Sequence, residues 1–147
     1  IIRRSAQVLN MNMDDDAIDA LAKASRSTPR VANRLLKRVR DFADVNDITK
    51  IDKATALNTL NLLEIDDEGL EPMDRRLLEI IIDKFKGGPV GINSLAAALN
   101  DDVGNIEDVY EPHLLAKGFL LRTSSGRIVT EVAYHHLKRK IPQEKLI

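Results

Sequence analysis

Arginine residues form the most regular chemical pattern in this 147-residue sequence. Arg26, Arg30, Arg34 and Arg38 recur every four residues, a spacing that aligns side chains along one face of a helix. Arg30 directly follows Pro29, a residue type favoured in the first turn of a helix, where backbone N–H groups already attract anions. A guanidinium there can add paired hydrogen bonds to a phosphate. The pattern alone favours a solvated basic face and leaves phosphate binding by Arg30 as the less common alternative.

A second pair of arginines flanks a short turn in the C-terminal part of the chain. Arg122 and Arg127 lie on either side of the Ser-Ser-Gly turn at 124–126. Arginines on a two-stranded wing can reach a DNA groove or clamp phosphates, because the planar guanidinium makes paired hydrogen bonds. The alternative is a hairpin whose arginines pair with nearby acids. Residues 119–147 carry six basic and two acidic residues, a local excess that suits weak, non-specific phosphate contact.

The remaining chemistry-bearing residues predict neither a catalytic centre nor a metal site. The sequence has no Cys, which excludes disulfides, thiolate metal sites and cysteine nucleophiles. His135 and His136 are neighbours, and neighbouring side chains on a helix diverge by about 100°, so they do not share a metal ion. No Gly-rich phosphate loop or nucleophile-elbow motif occurs. The longest apolar runs are far shorter than the roughly 20 residues that cross a bilayer, so we expect a soluble, cytoplasmic chain.

Apolar spacing predicts four helices in the first 63 residues. The first, at residues 1–9, has no capping residue ahead of it, so we expect the natural protein to begin upstream. The later helices each follow a residue that can cap an N-terminus: Asn12 or Asp14 for the second, Ser27 or Thr28 for the third, and Thr49 for the fourth. Thr49 with Asp52 three positions later resembles a capping box.

An acidic segment at residues 64–71 separates the two halves of the chain. It contains Gly69 and is followed by Pro72, both of which interrupt regular structure. We therefore predict a linker there and a boundary that divides the chain into domains 1–70 and 71–147.

The second half combines helices with a single hairpin. Two helices are predicted to begin at capping residues, Asp74 for the first and Asn93 or Ser94 for the second. A further helix at 103–117 is expected to bend at Pro112. Two β-prone runs around the 124–126 turn predict a hairpin, and a last helix carries the basic cluster at 138–140. This order is that of a winged helix-turn-helix.

Three groups of short motifs follow one another along the chain: Ser-Arg-Ser-Thr-Pro-Arg at 25–30, Asn-Arg-Leu at 33–35 and Arg-Val-Arg-Asp at 38–41; Ile-Asp-Asp-Glu-Gly-Leu at 65–70; and Gly-Gly-Pro-Val-Gly at 87–91, Glu-Asp-Val-Tyr-Glu-Pro at 107–112, Gly-Phe-Leu at 118–120 and Arg122-Thr123 with Gly126-Arg127. In order and spacing they resemble the C-terminal half of the RuvB family, the bacterial Holliday-junction branch-migration motors. The resemblance covers essentially the whole chain.

The resemblance implies a mainly α fold, in which a four-helix AAA+ lid domain precedes a winged helix-turn-helix domain with a small β-hairpin wing. It implies that Arg30, preceded by Pro29, is the sensor arginine that reaches the γ-phosphate of ATP. It also implies that Arg122 and Arg127 contact double-stranded DNA at Holliday junctions.

The resemblance further implies that several parts of the motor lie outside this chain. The Walker motifs, the arginine finger and the contact with RuvA belong to an N-terminal half. ATP and Mg²⁺ would then be held in the full-length protein, which acts as a homo-hexameric helicase in DNA recombination and repair. We expect this chain by itself to bind no cofactor, to contain no catalytic residue and to be inactive.

Two positions depart from the family pattern. Ser27 stands where the family commonly has Gly, which leaves Arg30 intact. Ser124 and Ser125 stand where the wing tip commonly has Pro and Arg, so one cation and one rigid turn residue are lost. We therefore expect a more flexible wing with weaker, more salt-sensitive DNA contact.

Two other functions fit parts of the pattern. A winged-helix transcription regulator with a helical sensor domain would need a base-reading helix, yet the 103–117 helix offers only Asn105, His113 and Lys117 among many acids. A protein-interaction module that uses the winged helix as a scaffold predicts no salt-dependent DNA binding.

Overall fold

The computed structural model describes residues 2–26 and 29–143, and its chain divides into two units, Ile1–Pro72 and Met73–Ile147. The elements are mainly helical, with one small antiparallel hairpin in the second unit. This confirms the predicted fold class. Among the described residues, none of the helices combines the length and the apolar character needed to cross a membrane.

The first unit is built from four helices: α1 (Ile2–Val8), α2 (Asp15–Ala24), α3 (Pro29–Val45) and α4 (Lys53–Leu62). Their apolar faces meet in one core, and the spacing that predicted α3 places Leu35 and Val39 fully inside it. Val31 and Phe42, on the same predicted face, are partly buried. The core therefore forms from stripes of apolar side chains that α1 to α4 present to one another.

Helix starts in the first unit differ in part from the predicted caps. Asp52, rather than Thr49, precedes α4, and its carboxylate accepts a hydrogen bond from the Thr55 backbone N–H at 2.8 Å. The predicted capping box was thus displaced by three residues, because the acid itself satisfies the free N–H. Asp14 occupies the cap position of α2 without a side-chain hydrogen bond. The predicted caps Ser27 and Thr28 lie outside the described residues.

The acidic segment at 64–71 is folded onto the first unit. Ile65 and Leu70 are buried, and the Asp66 carboxylate accepts hydrogen bonds from the backbone N–H groups of Glu68 and Leu70 at 3.0 and 2.9 Å. Gly69 has a φ of +80°, and a Cβ there would lie 2.9 Å from the Ala24 carbonyl oxygen, so the close approach requires glycine. This segment has a fixed local conformation, and the predicted boundary at residue 70 falls at its end.

The second unit contains α5 (Pro72–Phe85), α6 (Ile92–Leu99), α7 (Val103–Asn105), a π-helical segment (Ile106–Tyr110), α8 (Glu111–Ala116), β1 (Leu120–Thr123), β2 (Gly126–Val129) and α9 (Glu131–His136). The strands pair antiparallel, with Leu120 opposite Val129 at the buried base. Val90 forms an isolated antiparallel bridge with Arg127 at the other edge of β2. The winged helix-turn-helix prediction is confirmed.

Three local predictions in the second unit were wrong. α5 begins at Pro72, so Asp74 is the buried third residue of the helix rather than its cap; proline suits the first helical position because it lacks an N–H. Gly91, rather than Asn93 or Ser94, precedes α6. α9 ends at His136, before the basic cluster at 138–140.

The end of α9 is a Schellman motif, which explains why the basic cluster is not helical. Lys138 has a φ of +57°, and the backbone N–H of Arg139 donates to the Tyr134 carbonyl at 2.9 Å. Glycine normally occupies this left-handed position. Because Lys138 occupies it here, no residue type marks the end of the helix at that point.

Candidate functional site

Arg30 is the second residue of α3, directly after Pro29, and both residues are exposed. Within the described part of the chain, the Arg30 guanidinium has no hydrogen bond or ion pair. None of the described residues therefore occupies its N–H donors. Arg30 lies in the first turn of a 17-residue helix, and a phosphate contact there stays a prediction.

The arginine stripe, the row of four arginines predicted to share one helix face at positions 26, 30, 34 and 38, is shorter in the structure. Arg26 lies before α3, in a turn with a φ of +60°, so it does not share the helix face. Arg34 donates to the Glu71 carboxylate at 2.6 Å, at the exposed surface of the first unit. Arg30 and Arg38 remain exposed on α3. The stripe therefore divides into one paired arginine and two exposed ones.

The two wing arginines occupy directly opposite positions of the hairpin. Arg122 on β1 pairs in register with Arg127 on β2. Side chains opposite each other in an antiparallel pair have Cβ atoms about 4.5–5.5 Å apart, and like charges there destabilise the pair. The hairpin therefore needs an anion between or beneath the two guanidinium groups.

Glu111, the first residue of α8, provides that anion. Its side chain has no solvent exposure; one carboxylate oxygen accepts a 2.9 Å hydrogen bond from the Arg127 Nε, and the other accepts a short hydrogen bond from the Arg122 Nη2. This hydrogen bond, and the charge of Glu111, raise the pKa of Arg122 above its usual value. Glu107 adds a more distant contact, 3.8 Å from the Arg127 Nη2. One buried carboxylate thus bridges two arginines.

The bridge leaves the two arginines unequally accessible. Half of the Arg122 side chain is exposed, whereas 11% of the Arg127 side chain is. The backbone of Arg127 is also fixed, because its N–H and carbonyl pair with Val90 at 2.8 and 3.0 Å. Arg122 therefore presents donors at the surface, whereas Arg127, on the same face of the hairpin, is enclosed.

Two glycines allow the backbone around Arg127 to pack this closely. A Cβ on Gly88 would lie 2.3 Å from the Arg127 carbonyl oxygen, and one on Gly126 would lie 2.4 Å from the Val90 carbonyl oxygen. Both residues also have positive φ values. Any side chain at either position would force the Val90 segment away from β2.

The wing tip is exposed and hydrogen-bonded within itself. Ser124 and Ser125 are exposed, the Thr123 hydroxyl donates to the Gly126 carbonyl at 2.9 Å, and the Ser125 N–H donates to that hydroxyl at 3.3 Å. After α9, Arg139 pairs with Asp83, while the flanking residues at 138 and 140 are exposed cations. The accessible positive charge of this unit therefore includes Arg122 and the segment after α9.

No local sequence pattern marked Glu111 as a functional residue. Glu111 stands in an acidic helix, where solvated acids are the ordinary interpretation. The π-helical segment directly precedes Glu111, and the backbone N–H of Glu111 donates to the carbonyl of Ile106, five residues back. The following residue, Pro112, cannot donate a helical hydrogen bond. The one available signal was that two opposed arginines on short strands require a buried anion.

Comparisons with known proteins agree with this architecture. Residues 1–66 match the family model of the RuvB AAA lid domain, and residues 67–138 match that of the RuvB C-terminal winged helix domain. The chain is 48% identical over 145 residues to the Holliday junction branch migration complex subunit RuvB of Koribacter versatilis, and 49% identical over 146 residues to that of Thermotoga maritima. These alignments include 99% of this chain but 40% and 44% of the two relatives, so the chain spans less than half of their length.

Solved structures give the same result. The Thermotoga maritima RuvB Holliday junction branch migration motor superposes with a TM-score of 0.93 at 49% identity, covering 96% of this chain and 47% of that chain. Its P216G mutant gives the same TM-score at 48% identity and the same coverage.

Proposed function

The chain belongs to the RuvB family of Holliday-junction branch-migration proteins, and we propose that it is the lid and DNA-contacting part of an ATP-driven branch-migration motor. The observation that carries the proposal is the consecutive match of the two RuvB domain models across residues 1–138. We assign domain 1–70 to the AAA+ lid and domain 71–147 to the winged helix. The same match favours this function over a winged-helix transcription regulator.

In this proposal the wing contacts the phosphates of double-stranded DNA at a junction. Arg122 is the direct contact, because half of its side chain is exposed and its guanidinium retains donors beyond the one used by Glu111. Arg127 contributes to the same contact indirectly, through its hydrogen bond to Glu111. Phosphate contacts of this kind position a protein on a duplex without reading its sequence.

The lid contributes one side chain to nucleotide sensing. Arg30 is exposed at the start of α3, and Pro29 fixes that start. A single arginine fits a phosphate oxygen but cannot hold a nucleotide, so ATP and Mg²⁺ would be held mainly by an upstream ATPase domain. ATP hydrolysis there would supply the energy for translocation. We also assign the RuvA contact and homo-hexamer formation to the complete protein in the cytoplasm.

Duplex binding by this chain tests the wing assignment. Fluorescence anisotropy with a labelled duplex, measured across a salt series, should show weak binding that declines with salt. Arg122→Ala should weaken binding about tenfold, since a charge-assisted hydrogen bond contributes roughly 1.5–3 kcal/mol. It should also reduce the salt slope by about 0.9, the value for one phosphate contact.

Arg76→Ala is the matched control, because it removes the same charge from an exposed position on α5. It should change affinity much less than Arg122→Ala. Equal effects of the two variants would mean that net charge, rather than a wing contact, determines binding.

A further inference from the structure

The hairpin register places two positively charged side chains opposite each other, and the wing itself does not neutralise their repulsion. Arg122 and Arg127 face each other across two four-residue strands. Like charges in directly opposite positions repel, and a two-stranded hairpin is marginally stable in water. A group outside the hairpin that neutralises part of this charge therefore stabilises the observed register.

Glu111 is this outside group, and both of its carboxylate oxygens accept hydrogen bonds. It has no exposed surface, and each of its oxygens accepts from a different arginine. A buried carboxylate is costly unless it is paired and hydrogen-bonded, and here both conditions are met. Glu111 lies 11 residues before Arg122 and 16 before Arg127, so the contact joins α8 to both strands.

The two arginines have different roles in this triad. Arg127 is enclosed and also approaches Glu107, so its charge is satisfied inside the protein. Arg122 uses its Nη2 for Glu111 while half of its side chain remains exposed. A guanidinium has five N–H donors, so Arg122 can bind Glu111 and a phosphate at the same time.

We propose that Glu111 is a positioning residue for DNA contact: it holds the Arg122 guanidinium with its free edge toward a phosphate, and Arg127 is its internal counterion. An arginine loses substantial rotamer entropy when it is ordered, so holding it in place before binding lowers the cost of the contact. The proposal rests on the proposed function, because it requires that the wing contacts duplex DNA through Arg122.

Glu111→Gln tests the role directly, since it keeps the size of the side chain but removes the charge. The chain then gains one net positive charge, which by itself would strengthen binding to DNA. We expect the reverse: duplex affinity falls about fivefold and the salt slope decreases by nearly one phosphate contact, because Arg122 is no longer held in place. Glu107→Gln, which removes the same charge from a side chain that is 45% exposed, should bind as well as or better than the wild type.

A double-variant comparison separates positioning from general stability. If Glu111 acts through Arg122, then Glu111→Gln should no longer weaken binding in the Arg122→Ala background, where only its gain of positive charge remains. A loss of similar size in both backgrounds would overturn the proposal in favour of a purely structural role. Tighter binding by Glu111→Gln alone would also overturn it, because Glu111 would then only neutralise the wing.

Arg122→Lys covers the case in which Glu111→Gln does not fold. It keeps the charge and leaves the Glu111–Arg127 pair intact, but its compact ammonium lacks the planar fork that serves two partners. Its affinity should fall close to that of Arg122→Ala, and full affinity would refute the positioning role. The proposed function fails separately, if Arg122→Ala itself leaves duplex binding unchanged.

Discussion

Arg30 at the start of α3 and Arg127 on β2 are both arginines for which the sequence predicted a phosphate contact, yet their surroundings differ in kind. Arg30 is exposed and has no partner within the described part of the chain, whereas 11% of the Arg127 side chain is exposed and Glu111 holds it at 2.9 Å. No described residue pairs with the lid arginine, whereas α8 supplies an internal anion to the wing arginine. An arginine's function here depends on where its counterion comes from.

The largest expected effect lies in the wing. Arg127→Ala removes the enclosed partner of a fully buried carboxylate and leaves Glu111 paired with the half-exposed Arg122 alone, so we expect the second unit to lose up to about 3 kcal/mol of its free energy of unfolding, the low end of the range for broken buried pairs. Urea denaturation followed by circular dichroism measures this. Arg122→Ala should cost clearly less, because half of that side chain is solvated. Equal losses of unfolding free energy would show that the two arginines contribute equally to the stability of the second unit.

The difference between Arg30 and Arg127 separates what the sequence could predict from what it could not. Helix faces in the first unit followed from apolar spacing, because burial of Leu35 and Val39 requires only a period of 3.6 residues. The hairpin followed from two β-prone runs around the 124–126 turn. The role of Glu111 did not, because it depends on a contact between α8 and the strands that no local pattern specifies.

The ends of individual helices were also predicted only in part. Asp52 replaces Thr49 as a cap, and Lys138 occupies a left-handed position that glycine would normally mark. Thr49 and Asp52 both have side chains that can cap α4, and no residue type near position 138 marks a helix end. The motifs that carried the family resemblance supplied the functional expectation for Arg30, which its spacing alone did not favour.

A paired arginine on the lid surface gives a smaller effect. Arg34 donates to Glu71 at 2.6 Å, but the two side chains are 56% and 34% exposed. Because water screens such a pair, Arg34→Ala should reduce the free energy of unfolding by less than about 1 kcal/mol. Arg38→Ala, on the same helix and exposed, is the matched control. A loss as large as that of Arg127→Ala would remove the contrast between surface and buried pairing.

Acid should destabilise the lid through one of its caps. Hydrogen bonds from the Thr55 backbone N–H, and then from its hydroxyl, lower the pKa of Asp52. This contribution is therefore complete above the unfolded-state pKa of about 3.9, and is lost as the pH falls through the lower folded-state value.

Asp52→Asn tests this dependence because asparagine can still cap a helix but does not titrate. Denaturation of the first unit at a series of pH values below about 4 should show a smaller acid-induced loss for this variant than for the wild type. Asp44→Asn, an exposed carboxylate in the same unit, should follow the wild type. Identical acid profiles for Asp52→Asn and the wild type would show that the cap hydrogen bonds contribute nothing in this range.

The smallest effect on stability is expected at Arg30. Its side chain has no partner among the described residues, so Arg30→Ala should change the free energy of unfolding by no more than about 0.5 kcal/mol. Duplex binding by this chain should also stay the same, since the wing is in the other unit. In the complete protein, however, the same substitution should strongly reduce ATP hydrolysis if this arginine completes a phosphate site. Marked destabilisation would place the counterion of Arg30 within this chain, and the contrast with Arg127 would then be lost.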